Sequence, residues 1–174
     1  MCLTLLLRFR LALFVAIQQA TAPSQASSIK VTVVAGSKLM SSRHGLLREV
    51  IRCNPYCAIS LGIVKKQTHV LSDTLDPHWS ETFSFEWDRS GKESASTMVF
   101  TVFNRVGGAS DICAGSHELD LSKFKDFQGV VDDWFPLYVP VDRANRDGTN
   151  VGGSLKLRLQ FAPSTHSQML LHAH

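Results

Sequence analysis

The sequence has few of the features that mark zinc proteins, nucleotide-binding enzymes or membrane spans. Its four cysteines include no C-x-x-C pair, so their spacing matches no zinc site, and we interpret them as reduced thiols. It contains no Gly-rich phosphate loop. The apolar runs at residues 3–7 and 11–17 are far shorter than the ~20 residues that span a bilayer. We therefore expect no enzyme activity, no metal and no cofactor.

Acidic residues are also absent from the first 48 positions, since the first one in the chain is Glu49. The formal charge of the whole chain is only +3, which gives a weak overall attraction to nucleic acid or to membranes. Any electrostatic binding must come from a local patch, and we expect no nucleic-acid partner. The length of 174 residues and the apolar fraction of 44% are those of one globular domain, which we expect to be a monomer.

Residues 1–28 differ in composition from the rest and are interpreted as an N-terminal extension. Two arginines, two short apolar runs and Ala20-Thr21-Ala22 fit a secretory signal peptide, although Pro23 directly after that site disfavours cleavage there. A mitochondrial presequence and an extension without a folded role remain alternatives. We expect a cytoplasmic protein at the membrane periphery. If residues 1–28 act as a signal peptide, we expect a protein of the secretory pathway instead.

From residue 29 the apolar residues recur with period two, as in strands that bury one face. The clearest run is Leu155, Leu157, Leu159 and Phe161, which alternate with polar residues. Turn residues such as Gly62 separate the runs. The pattern predicts an all-β fold, an eight-stranded antiparallel β-sandwich over residues 29–162, followed by a flexible tail at 163–174. The predicted strands are 29–35, 56–61, 65–72, 81–87, 97–103, 114–121, 134–139 and 153–162.

Residues 74–83 read TLDPHWSETF and resemble the T-L-N-P-x-W-N-E-x-F signature of C2 domains. Other stretches resemble the family in the expected order, among them NPYC at 54–57, WFPL at 134–137 and GSLKL at 153–157. The resemblance covers about residues 29–162 and implies the permuted, type II strand order. We interpret the TLDPHWSETF motif as structural, since proline fixes a turn and tryptophan covers the end of the sheet.

The resemblance also identifies where calcium-binding C2 domains carry aspartates. The residues at those positions are Arg48, Asn54, Asn104, Val106 and Ile112, none of them acidic. Asp111 is the one nearby carboxylate, one place out of register, and residual calcium binding through it stays open. Calcium needs about six to eight oxygen ligands, mostly carboxylates. We therefore predict a C2 domain without a calcium site.

The long connection at residues 36–55 is the first candidate for binding. Residues 43–52 could form a short helix with leucines on one face and arginines beside it. The lipid-binding candidates here, with one residue of a neighbouring loop, are Arg43, Leu46, Leu47, Arg48, Arg52 and Val106. Each basic side chain would contribute about 1 kcal/mol at an anionic surface. The alternative is that the apolar residues cap the open end of the core.

Lys65, Lys66 and His69 form the second candidate patch. The resemblance suggests a phosphoinositide site on the concave face, and the alternative is a solvated strand edge protected by lysines. The function expected from the sequence is calcium-independent docking on acidic phospholipid membranes. A protein-interaction adaptor that uses the same scaffold without lipid is the alternative.

Overall fold

The computed structural model describes residues 26–39, 53–88, 96–107, 110–139 and 151–163. The predicted helix at 43–52, the tail beyond residue 163 and nearly all of the N-terminal extension lie outside these ranges. In the described part of the chain, no helix has the length and apolar character needed to cross a bilayer.

Eight antiparallel strands confirm the all-β prediction. Their bounds are β1 Ala26–Ser37, β2 Pro55–Leu61, β3 Val64–Gln67, β4 His78–Asp88, β5 Thr97–Asn104, β6 Ile112–Asp120, β7 Gly129–Tyr138 and β8 Val151–Pro163. A 3-10 turn, Leu121–Phe124, follows β6. Every predicted strand is present. The largest differences are that β7 begins five residues earlier than predicted and that β3 ends five residues earlier.

The strands follow the order β3-β2-β5-β6-β7-β8-β1-β4. This sheet folds over into two four-stranded layers, β3-β2-β5-β6 and β7-β8-β1-β4, because β6 and β7 share only the pair Ser116 and Tyr138. The first and last strands lie side by side along most of their length, as the expected permuted strand order requires.

The core lies between the two layers and consists of the inward-facing residues of the alternating runs. In β8, Leu155, Leu157 and Leu159 are fully buried, and the residues between them face outward. Cys57 on β2 is also fully buried, and burial raises the pKa of its thiol far above the ordinary value. That cysteine is therefore a core residue, as its alternation with Ile59 indicates, and not a nucleophile.

Side chains close the seam between β3 and β4, at which the two layers meet without a strand ladder. At the seam between β3 and β4, Lys66 Nζ donates to the Ser84 carbonyl at 2.8 Å. Beside it, the Glu81 carboxylate accepts the His69 backbone N–H at 2.9 Å. These bonds satisfy edge groups that would otherwise be open to pairing with other chains.

The TLDPHWSETF segment clamps the end of β1. Gly36 N–H donates to the Pro77 carbonyl at 2.9 Å, and Leu39 N–H donates to the Leu75 carbonyl at 3.0 Å. Trp79 is 5% exposed and belongs to the core cluster. The motif therefore acts in packing and in turn formation, as its composition predicts.

The early end of β3 follows from one threonine. Thr68 is 1% exposed, and its hydroxyl accepts the backbone N–H of Cys57 at 3.0 Å. The Thr68 hydroxyl takes the place of the backbone carbonyl that would continue the ladder between β2 and β3. Regular pairing of these strands therefore stops at Gln67. Local hydrogen bonding of this kind competes with secondary structure and is not visible in hydrophobic periodicity.

Two isoleucines of the β2–β3 hairpin test the placement of the core. Ile59 is fully buried, whereas Ile63 at the turn is 99% exposed. We expect Ile59→Ala to lower the free energy of unfolding by about 2–5 kcal/mol, because it leaves a cavity. Ile63→Ala should change it by less than about 0.5 kcal/mol. Urea unfolding of both variants measures the difference, and equal losses would contradict the hairpin register.

Candidate docking site at the loop end

The candidate site lies where β2 and β6 begin and β5 ends, a region that we call the loop end. Asn104 is the register partner of Pro55 on one side and of Ile112 on the other. Asn54 directly precedes β2, and Val106 follows Asn104 by two residues. The structure therefore brings together four of the five positions at which the family resemblance places aspartates, and the fifth, Arg48, lies outside the described residues.

The amide side chains at these positions hold the loops to each other. The Asn104 Oδ1 atom accepts the backbone N–H of Asn54 at 2.7 Å. The Asn54 Oδ1 atom accepts the backbone N–H of Asp73 at 3.1 Å, and its Nδ2 donates to the Arg105 carbonyl at 3.2 Å. Both side-chain oxygens thus already accept from the protein backbone.

Asn104 is the most deeply buried polar residue of the loop end, at 1% exposure. Its Nδ2 atom is buried and has no hydrogen-bond partner. A buried donor without a partner costs about 1–3 kcal/mol. The neutral amide therefore serves as an acceptor for Asn54 and leaves an uncompensated donor in the interior.

Asp111 is a carboxylate of the loop end, and it has partners within the chain. The Tyr56 hydroxyl donates to its Oδ2 atom at 2.7 Å. Arg105 Nε lies 3.6 Å from the same oxygen, and the guanidinium carbon lies 4.8 Å from the centroid of the Tyr56 ring. The Tyr56 ring also makes a stacked contact with Phe103, at 5.5 Å between centroids.

These contacts keep the Asp111 carboxylate ionised. The hydrogen bond from Tyr56 and the nearby charge of Arg105 lower the pKa of Asp111, against the opposing effect of partial desolvation. Burial and the bond to Asp111 raise the pKa of the Tyr56 hydroxyl, which therefore stays protonated as a donor. The result is a negative carboxylate shared between a neutral donor and a cation.

The remaining predicted positions add no oxygen ligand. Val106 and Ile112 are partly buried apolar side chains. Within the described ranges, no three His, Cys, Asp or Glu side chains are grouped so that they could hold a metal ion. The lipid-binding candidates Arg43, Leu46, Leu47, Arg48 and Arg52 lie outside the described residues.

The fold separates the two lysines of the second predicted patch, whereas Lys66 and His69 both contact β4 at the seam. Lys65 is the register partner of Ser60, and Lys66 is the partner of the fully buried Ile59, so the two lysines point to opposite faces of β3. Lys66 turns into the seam, where its Nζ lies 5.2 Å from the centroid of the Phe85 ring. Of the two lysines, Lys65 is therefore the one that is exposed to solvent.

A row of exposed apolar residues along β7 is a feature that the sequence analysis did not identify. Val130, Trp134 and Tyr138 are 47%, 46% and 52% exposed. Their even spacing places them on one face of the strand. The signal in the sequence was the VxxxWxxxY spacing of residues 130–138, which the resemblance of WFPL to the family did not single out.

Arg105 is the other residue that the sequence analysis missed. It lies between Asn104 and Val106, two positions that the resemblance singles out, but the resemblance gives no role to the residue between them. Its contacts with Tyr56 and Asp111 cross from β2 to the β5–β6 loop. Such a constellation depends on the strand register, and no local pattern reveals it.

Comparisons with known proteins agree with this architecture. A family model described as the C2 domain matches residues 27–137, more than half of the chain. The chain therefore belongs to the C2 domain family. A search of curated protein sequences found no match.

Solved C2 structures are similar in fold. The C2A domain of a plant extended synaptotagmin 1 is 21% identical, with a TM-score of 0.60 over 80% of this chain and 96% of that one. The calcium-bound C2A and C2B domains of extended synaptotagmin 2 are 21% identical, with a TM-score of 0.62 over 79% of this chain and 46% of that one. Human GIVD cytosolic phospholipase A2 is 18% identical, with a TM-score of 0.62 over 82% of this chain and 18% of that one.

Two of these structures are much longer than this chain. This chain spans less than half of the extended synaptotagmin 2 fragment, at 46%, and a small part of the phospholipase, at 18%. At these identities the likeness establishes the fold alone.

Removing the Tyr56 hydroxyl tests the electrostatics of the loop end. In Tyr56→Phe the pKa of Asp111 should rise toward its ordinary value, because the hydrogen bond is the largest cause of the lowered pKa. A carboxyl carbon NMR titration measures this pKa. Tyr138→Phe removes a hydroxyl from an exposed ring on β7 and should leave the pKa of Asp111 unchanged.

The same contact has a defined pH dependence. Because the folded-state pKa of Asp111 lies below the unfolded value, its stabilising effect is complete above the unfolded pKa. It is lost as the pH falls through the folded-state pKa. An Asp111 pKa that is the same in wild type and Tyr56→Phe would contradict the described contact.

Proposed function

We propose that this C2 domain docks on acidic phospholipid membranes without calcium. One observation carries the proposal: at the loop end, the side-chain oxygens of Asn54 and Asn104 already accept backbone N–H groups. The carboxylate of Asp111 is likewise shared between Tyr56 and Arg105. The described loop end therefore offers no cluster of open anionic oxygens to a divalent cation.

The count of ligands makes calcium uptake unfavourable. Calcium takes about six to eight oxygens in proteins, and carboxylates supply most of the compensating charge. The described family positions supply two amides and two apolar side chains, and Asp111 is neutralised by Arg105 at 3.6 Å. Arg48, which the sequence places at a further position, would add a repulsive positive charge.

The sequence of the connection at residues 36–55 supports an acidic membrane as the partner. Its arginines and leucines are the side chains that an amphipathic segment uses at an interface, with cations on phosphates and apolar groups at the acyl boundary. The cytoplasmic face of membranes carries the anionic lipids that such a segment requires. Docking at this face is the location that the proposal implies.

Co-sedimentation with vesicles of phosphatidylcholine and phosphatidylserine tests the proposal. We expect the same bound fraction in calcium and in chelator, and little binding to vesicles of phosphatidylcholine alone. Binding that disappears in chelator would contradict calcium independence. No binding to anionic vesicles under either condition would contradict membrane docking.

Removing three arginines of the connection identifies the surface. The combined change Arg43→Ala, Arg48→Ala and Arg52→Ala should weaken binding to phosphatidylserine vesicles by at least about tenfold, at about 1 kcal/mol for each cation. A control with the same loss of charge is Lys30→Ala, Lys123→Ala and Arg158→Ala, whose side chains are exposed outside the connection and outside both candidate patches. Equal effects of both triple variants would exclude the connection as the docking surface.

A protein-interaction adaptor is the second candidate, and the exposed row on β7 favours it. Val130, Trp134 and Tyr138 present apolar and aromatic surface along one strand, and aromatic residues are enriched where proteins meet. If the exposed row on β7 binds a protein partner, Trp134→Ala should abolish that binding and leave vesicle binding intact. Loss of vesicle binding in Trp134→Ala would instead make β7 part of the membrane surface.

A further inference from the structure

Arg105 occupies a special position at the loop end. It lies between Asn104 and Val106, two of the positions at which the family resemblance places aspartates. Where calcium-binding relatives hold a metal cation with carboxylates, this chain places a guanidinium beside the Asp111 carboxylate. The Arg105 Nε atom lies 3.6 Å from Asp111 Oδ2.

Three contacts hold the arginine in place. The guanidinium stacks on the Tyr56 ring at 4.8 Å, a cation–π arrangement that limits its rotation. Its backbone N–H donates to the Asn54 carbonyl at 2.9 Å, which fixes the loop that carries it. Asp111, itself anchored by the Tyr56 hydroxyl, attracts the Nε side of the guanidinium.

The arginine nevertheless remains open to ligands. Its side chain is 47% exposed, although its partners Tyr56 and Asp111 are 7% and 25% exposed. A guanidinium has five N–H donors, and the contact with Asp111 is made through Nε. The terminal nitrogens are the ones that bind phosphate oxygens in a forked geometry.

The residue before Arg105 also presents a donor at the loop end. The Nδ2 atom of Asn104, the residue adjacent to Arg105, is a buried donor without a partner. Its partial positive charge is not neutralised by a hydrogen bond. This unpaired donor adds a positive potential at the loop end, which disfavours a metal cation there.

We propose that Arg105 is a permanent cation that takes the role of the metal ion, held by Asp111 on one side and binding the phosphate of an anionic phospholipid headgroup on the other. This inference rests on the proposed membrane docking and names the residue and the chemistry of that contact. An arginine stays protonated in proteins, so the contact needs no calcium signal.

A matched pair of arginines tests the proposal. Arg158 on β8 is 60% exposed, and its Nε lies 3.8 Å from Asp132 Oδ2, so it repeats the exposure and ion pairing of Arg105 away from the loop end. We expect Arg105→Gln to weaken binding to vesicles of phosphatidylcholine and phosphatidylserine about fivefold in chelator. Arg158→Gln should weaken it by less than about twofold, the effect of distant charge alone.

Two further measurements separate binding from a structural role. Arg105→Lys keeps the charge without the forked geometry and should bind between wild type and Arg105→Gln. In the wild-type protein, the Nε–H NMR signal of Arg105 should shift on addition of short-chain, monomeric phosphatidylserine, and not with the matching phosphatidylcholine. This second readout does not depend on the stability of any variant.

The possible outcomes are distinct. Wild-type binding to anionic vesicles with an equal loss in Arg105→Gln and Arg158→Gln would overturn the role of Arg105 and leave membrane docking standing. An unshifted Arg105 signal in the presence of bound phosphatidylserine would do the same. A wild-type protein that binds no anionic vesicle would overturn both proposals. A shift of equal size with inorganic phosphate would assign the contact to free phosphate and contradict the lipid headgroup.

Discussion

The hydrogen bond between the Asn54 backbone N–H and the Asn104 side-chain oxygen is the constraint on which the loop end depends. It joins the start of β2 to the end of β5 at a position that is 1% exposed. A pair of aspartates at these sites would repel each other and would need a cation to remain together. Two neutral amides need none, so the loop end can be assembled by the chain alone.

The rest of the molecule presents this end on a rigid frame. Both layers contribute to one core, and side chains such as Lys66 close the seam at which two strand edges meet. The ionic contacts of Asp111 then orient Arg105 without burying it. A docking module benefits from such preorganisation, because less conformational freedom is lost when the ligand binds.

The sequence predicts the strands well, since alternation in runs such as Leu155 to Phe161 reports directly on one buried face. The motif resemblance likewise identifies the positions of Asn54 and Asn104. Neither the alternation nor the motif resemblance predicts contacts between side chains of different strands. The contact between Arg105 and Asp111 depends on tertiary geometry, and Lys65 and Lys66 separate because neighbours in a strand face opposite ways. The end of β3 depends on a side-chain hydrogen bond of Thr68, which has no periodicity.

The central claim is that the oxygens of the loop end are already engaged and take up no calcium. Amide NMR spectra recorded during a calcium titration test it most directly, at the backbone N–H groups of Asn54, Asp73 and Arg105 and at the side-chain amide of Asn54. The account predicts no shift beyond that caused by ionic strength. The hydrogen bonds from Asn54 N–H to Asn104 Oδ1 and from Asp73 N–H to Asn54 Oδ1 should stay intact. Saturable shifts of these signals at micromolar calcium would contradict it.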